Sequence, residues 1–148
     1  DDKSYSYVKR NGTEQPARKP FHHMHIRITI DTSYEIKQAF AMYDASPFGE
    51  PCTSVTSAYQ DLVGLNLLKS FRQQVKERFG RTAGCTHMTE LLLSLPTAAI
   101  QTFATFRRDD EDSPEKPFPL DRCHALESSA AAVRLYYPRW YRPGGGPD

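Results

Sequence analysis

MHIRITIDTSYEIKQAFAMY, residues 24–43, decides the fold. Met24, Ile26, Ile28 and Ile30 alternate with His25, Arg27 and Thr29, and a period of two is what a strand with one buried and one wet face requires. His23 joins the polar set. Asp31, Thr32 and Ser33 supply turn chemistry. Ile36, Phe40 and Met42 then mark the apolar face of a second strand over 34–43, so the pair predicts an antiparallel hairpin. Further along, residues 45–56 hold Pro47, Gly49, Pro51 and Cys52 and read as a loop. Residues 57–62 read as a helical turn broken by Gly64. Phe71, Val75 and Phe79 stand at helical spacing, with Gly80 as the stop. A longer helical pattern over about 87–106 carries an apolar stripe of Leu91, Leu95, Ala98, Ala99, Thr102 and Phe106. Pro96 inside it predicts a kink, or two helices meeting there.

Residues 107–119, RRDDEDSPEKPFP, read as an exposed acidic, proline-rich loop. Residues 130–137 read as a short helix capped by Ser128 or Ser129 and stopped by Pro138, with a strand as the competing reading. A hairpin followed by helices predicts an α+β fold, a small antiparallel sheet packed against several helices. The expected organisation is a flexible arm over 1–20, a single domain over 21–141 and a disordered tail over 142–148.

Composition narrows the partners. The chain has 148 residues, enough for one domain with a real core. With 39% hydrophobic and 25% charged residues it has the balance of a soluble globular protein. Nineteen basic and eighteen acidic residues leave a net charge of +1, so no global field gathers nucleic acid or an anionic membrane. A small-molecule partner is expected, with homo-oligomerisation left open. No stretch approaches the roughly 20 apolar residues of a membrane span. The opening DDKSYSYVKR lacks the apolar core of a signal peptide, and its first three residues are compatible with a tag remnant. Cys52, Cys85 and Cys123, odd in number and widely spaced, make a poor disulfide framework and fit a reducing cytoplasm.

The stretch richest in chemistry is GCTHMTEL, residues 84–91. Thr86 reads as an N-cap, which sets Cys85 just before a helix and His87 at its first position. There the free N–H groups favour a thiolate or a bound anion. His87 and Glu90, three apart, project from one face, a carboxylate beside an imidazole that can work as an acid/base unit. Ser94, Thr97 and Gln101 continue that polar face. The plainer alternative is that Thr86 and Glu90 only cap the helix. Cys123-His124 is a second pair; with Cys85 and His87 it offers two thiolates and two imidazoles, the donor set of a tetrahedral zinc site, although the spacing is unlike the common knuckle. Cys85 is also a candidate nucleophile. His22, His23 and His25 form a third cluster. Imidazoles at i and i+2 can share a metal, yet a solvated strand face needs none. Arg27 beside them suits a carboxylate or phenolate.

These elements together resemble a bacterial family of unknown function. Its pattern runs H-D-M-x-x-R-x-T-x-D, A-P-[FY], an aromatic with L-x-G, G-C-T-H-[LM]-x-E-L and D-x-C-H-A. Here it corresponds to His22, Met24, Arg27, Thr29 and Asp31, then Ser46-Pro47-Phe48, Tyr59, Leu62 and Gly64. Gly84 to Glu90, Gln101 and Asp121 to Ala125 follow. The resemblance covers about 21–141. It departs at His23, where the family has Asp, and at His25, which matches nothing, so it supports His22 and Arg27 rather than a claw on His23 and His25. What it implies is an enzyme from bacteria that degrade aromatic compounds.

The resulting expectation is a small cofactor-independent lyase of the retro-aldol or C–C cleavage type, releasing formaldehyde from an aromatic, lignin-derived molecule. His87 is its base, oriented by Glu90. His22 and His124 relay protons, Arg27 holds a carboxylate or phenolate, and Cys85 belongs to the site. Tyr43, Tyr59 and Gln101 contact the substrate, with Phe71 and Trp140 among the pocket aromatics. Two other classes stand beside it: a zinc protein using Cys85, His87, Cys123 and His124, and a non-catalytic binding subunit.

Overall fold

A computed structural model describes residues 1–104 and 114–144. The chain divides into two compact units, Asp1–Phe103 and Ala104–Asp148, where the sequence leads one to expect a single domain over 21–141. The fold is α+β. In the first unit a minimal antiparallel pair, β1 (Tyr7–Val8) and β2 (Glu14–Gln15), occupies what reads as an arm in the sequence. The expected hairpin follows as β3 (His23–Ile30) and β4 (Ile36–Ala45), paired antiparallel. Its turn is organised by Asp31, whose Oδ1 accepts from Ser33 N, Ser33 Oγ and Glu35 N at 2.9, 2.6 and 3.1 Å. Tyr34 takes a left-handed φ of 67° within it.

The register of this hairpin corrects one expectation. Thr29 pairs with Gln38, but Ile30 pairs with Ile36, so Lys37 is an extra residue on β4. One inserted residue reverses the parity of every position after it. Ile36, Ala39 and Ala41 are buried, whereas Phe40 and Met42 remain 47% and 39% exposed. The expected apolar face of Phe40 and Met42 is therefore the outer face, which they share with His23, His25, Arg27 and Thr29. On the inner face Met24, Ile26, Ile28 and Ile30 pack against the core. A short extended segment flanks β4: Gly64 N donates to Ile36 O, Ile36 N to Leu65 O and Leu67 N to Tyr34 O, each at 2.9 Å.

Helices close the core. After α1 (Glu50–Thr53) comes a 3₁₀ stretch, Ser54–Leu62, that buries Tyr59 and Leu62. The helix α2 (Phe71–Phe79) buries Phe71, Val75 and Phe79 and ends at Gly80, as their spacing predicts. Two helices meet near Pro96: α3 (Thr86–Leu92) and α4 (Leu95–Thr102), the proline lying in the first turn of the second. The break shifts the buried stripe. Met88, Leu92 and Ala99 are buried, while Leu91 and Ala98, both expected inside, are exposed. Thr105 and Phe106, part of the expected helix, and residues 107–113 of the acidic loop lie outside the described residues.

The second unit holds a 3₁₀ turn at His124–Leu126, α5 (Ala131–Tyr136) and a further turn at Pro138–Trp140. Its last segment is thus a helix, but Ala130 is its N-cap and no side chain caps it. Ser128 is engaged elsewhere: its N and Oγ each donate to the Asp121 carboxylate at 2.7 Å. Lys116 Nζ also donates to that carboxylate. Among the described residues no helix is long and apolar enough to cross a membrane.

Candidate functional site

The site grows from the turn between α2 and α3. Gly84 lies so close to Phe79 that a Cβ would stand 2.5 Å from the Phe79 carbonyl oxygen. Thr89 Oγ1 donates to that same oxygen at 2.9 Å, and the Phe79 ring stacks on Tyr59 with centroids 5.0 Å apart. Tyr59 is fully buried, and its hydroxyl turns to the next residue of the loop. Cys85 N donates to Tyr59 Oη at 2.9 Å, and Tyr59 Oη donates to Cys85 O at 3.4 Å. Tyr59 therefore clamps the backbone of Cys85, a positioning role where the sequence reading has it contacting substrate. Cys85 itself is the N-cap of α3, with Thr86 one residue inside.

Around Cys85 the structure gathers residues distant in sequence. Cys85 Sγ lies 3.9 Å from His87 Nδ1. His87 is exposed and its ring meets that of His22, centroids 4.3 Å apart and planes tilted by 43°. Phe21 stands edge-on to the other side of His22 at 4.8 Å. His22 has only 17% of its side chain exposed, and its Nδ1 is 2.8 Å from Asp1 Oδ1. Burial, and then the α-ammonium group of the chain, pull the His22 pKa below its ordinary value. The Asp1 carboxylate, which favours the charged ring, does not reverse this. The shift favours the neutral ring, the form of an imidazole that can accept a proton.

Tyr43 completes the group. Its hydroxyl oxygen is buried with no hydrogen-bond partner among the described residues. Burial, and next the adjoining Cys85 thiol, push this phenol far above its ordinary pKa, with Cys52 also contributing. A buried hydroxyl without a partner costs free energy, about 1–3 kcal/mol in general.

Other expected residues stand elsewhere. Arg27 is on the outer face of the hairpin, its guanidinium 5.5 Å from the Phe40 ring centroid, not among the Cys85 group. Glu90 is exposed, and among the described residues it makes no bond with His87. Gln101 is exposed on α4. His124 and Cys123 are exposed in the second unit. Sequence reasoning missed the influence of Cys52 on Tyr43, and Phe79 and Thr89, which hold the loop through the Phe79 carbonyl. It also missed Asp44, whose carboxylate lies beside His23 and His25 at 3.3 and 2.8 Å. Hairpin register, with an H-x-H at one strand start facing an aspartate at the other strand end, is the signal that would have found it.

The profile of a family described as "Protein of unknown function (DUF2889)" matches residues 1–101. The chain belongs to the DUF2889 family. No curated protein and no solved structure matches it. The DUF2889 match begins at residue 1, so β1 and β2 lie inside the family's region. It takes in His22, Tyr43, Tyr59, Cys85 and His87, and it ends before the Asp121–Ala125 stretch.

Proposed function

We propose that this DUF2889 protein is a small cofactor-independent acid/base enzyme, a lyase that cleaves a C–C bond beside a hydroxyl on an aromatic small molecule. The observation that carries the reading is the contact of two imidazoles, His22 and His87, at 4.3 Å between ring centroids, from positions 65 residues apart in the chain. A retro-aldol step needs a base, an acid and a donor for developing charge. Neutral His22 takes the proton of the substrate hydroxyl. The C–O bond becomes the carbonyl of released formaldehyde, and the electron pair of the breaking C–C bond passes to the neighbouring carbon, which is conjugated with the ring. His87 hands that carbon, or the oxygen it is conjugated to, a proton. The Tyr43 hydroxyl, neutral beside the Cys85 thiol, donates to the oxygen that gains charge. Tyr59 holds Cys85, and Phe21 offers an aromatic wall beside His22. Arg27 and Glu90 have no part in this version.

On this reading the work is aromatic catabolism in a bacterial cytoplasm, and the three free thiols fit such a compartment. A second reading rests on the 3.9 Å approach of Cys85 Sγ to His87 Nδ1: a thiol nucleophile with its base. The experiment is a screen of lignin-derived aromatic alcohols for formaldehyde release. His22→Ala and His87→Ala are each expected to lower the rate about a hundredfold or more, while Glu90→Ala leaves it near the wild type. The acid limb of kcat/KM is expected below pH 6.5, the ordinary histidine value, because the base stays neutral to lower pH. A Cys85→Ser variant that abolishes turnover while His22→Ala retains it transfers the role to the thiol.

A further inference from the structure

The outer face of the hairpin carries a second cluster of chemical groups, built from residues the proposed acid/base site does not use. His23 Nδ1 and His25 Nε2 both approach one oxygen, Asp44 Oδ2, at 3.3 and 2.8 Å. The two rings lie 4.6 Å apart between centroids. One donor atom from each of the three residues falls within 4.8 Å of the others. Hairpin register explains the convergence. His23 pairs with Ala45 and Met24 with Tyr43, so Asp44 is an extra residue on β4, opposite the strand end that carries His23 and His25. Alternation sets His23 and His25 on one face of β3, and Asp44, two residues beyond Met42, falls on the same outer face of β4.

We infer that His23, His25 and Asp44 form a binding site for a divalent first-row transition ion of the zinc class. Two imidazoles and one carboxylate are a donor set suited to zinc, copper, nickel or iron(II) rather than to magnesium or calcium. Donor atoms bound at about 2.0–2.2 Å to one ion sit roughly 3–3.5 Å apart in a tetrahedron, close to the two separations seen here. The side chains are 51%, 46% and 44% exposed, so the remaining coordination positions face solvent and admit water or a ligand. This site is separate from His22, whose ring turns to His87, and it stands or falls independently of the lyase reading.

The test is titration of the full, untagged chain with Zn²⁺ alone, followed by the visible spectrum of its Co²⁺ complex. One ion per chain is expected, with a Co²⁺ spectrum free of thiolate charge transfer. His25→Ala and Asp44→Asn are each expected to weaken Zn²⁺ binding at least about tenfold, a range that even outer-sphere partners reach. Both positions are solvent-facing, so circular dichroism should be unchanged; Thr29→Ala on the same face and Cys85→Ser should keep wild-type affinity. If a variant misfolds, His23→Gln supplies the same comparison. Absence of binding, unchanged affinity in the His25 and Asp44 variants, or a thiolate charge-transfer band lost with Cys85→Ser would each overturn the assignment.

Discussion

At the scale of single residues, the two aspartates in the motif-like stretches are builders of turns. Asp31 closes the hairpin through Ser33 and Glu35, and Asp121 gathers Ser128 and Lys116. Hydrogen bonds to the charged form hold each carboxyl down. For Asp121 the bond from Lys116, then those from Ser128, bring the pKa to about 2; for Asp31 the bonds from Ser33 and Lys37 act first and carry it lower still. Unfolding returns Asp121 to its ordinary 3.8. Between these values the unfolded chain holds the extra proton, so the contribution is complete above 3.8 and is lost as pH falls through about 2. Asp121→Asn is therefore expected to lower the urea midpoint at pH 7 and to flatten its decline between pH 4 and 2. A variant as acid-sensitive as the wild type would contradict this, and Asp31→Asn should behave in the same sense.

At the scale of elements, the candidate site depends on how closely α3 begins against the end of α2. Gly84 permits that approach, and Phe79, Tyr59 and Thr89 lock it. Gly84→Ala has to displace the Phe79 carbonyl or the Cys85 loop, an overpacking change that costs about 1–3 kcal/mol. The expected outcome is a lower melting temperature together with altered alkylation of Cys85 by iodoacetamide, read by mass spectrometry; an unchanged melt and rate would refute the argument. The elements themselves were largely legible beforehand. Alternation announced β3, the Phe71–Val75–Phe79 spacing announced α2, and Pro96 announced the junction of α3 and α4. Lys37 did not announce itself, because a bulge is a property of the pairing between two strands and leaves no mark in the period of either. That single residue exchanged the faces of Phe40 and Met42 for those of Ala39 and Ala41. The site was legible in part: GCTH and His22 stand out by residue type, whereas their meeting is a tertiary fact. Motif order groups Arg27 with His22, whereas strand parity sends it outward with His23 and His25.

At the scale of the whole molecule, three boundaries nearly coincide. The DUF2889 match ends at residue 101, the first compact unit ends at Phe103, and the hydrophobic core with its packed periphery is drawn from Met24 through Phe103. A unit that holds its own core has the means to fold alone. Residues 1–103, produced by themselves, are accordingly expected to show a cooperative thermal transition and the far-UV dichroism of a folded α+β domain. A broad, non-cooperative melt would show that the second unit is needed for folding. The same fragment tests the functional reading, because it keeps His22, Tyr43, Cys85 and His87. If the imidazole pair does the chemistry, the fragment retains formaldehyde release within a few-fold of the full chain. If it is lost, the reading in which the first unit alone carries the chemistry fails. Zinc held by His23, His25 and Asp44 would remain bound to the fragment, since every one of its donors lies on the hairpin.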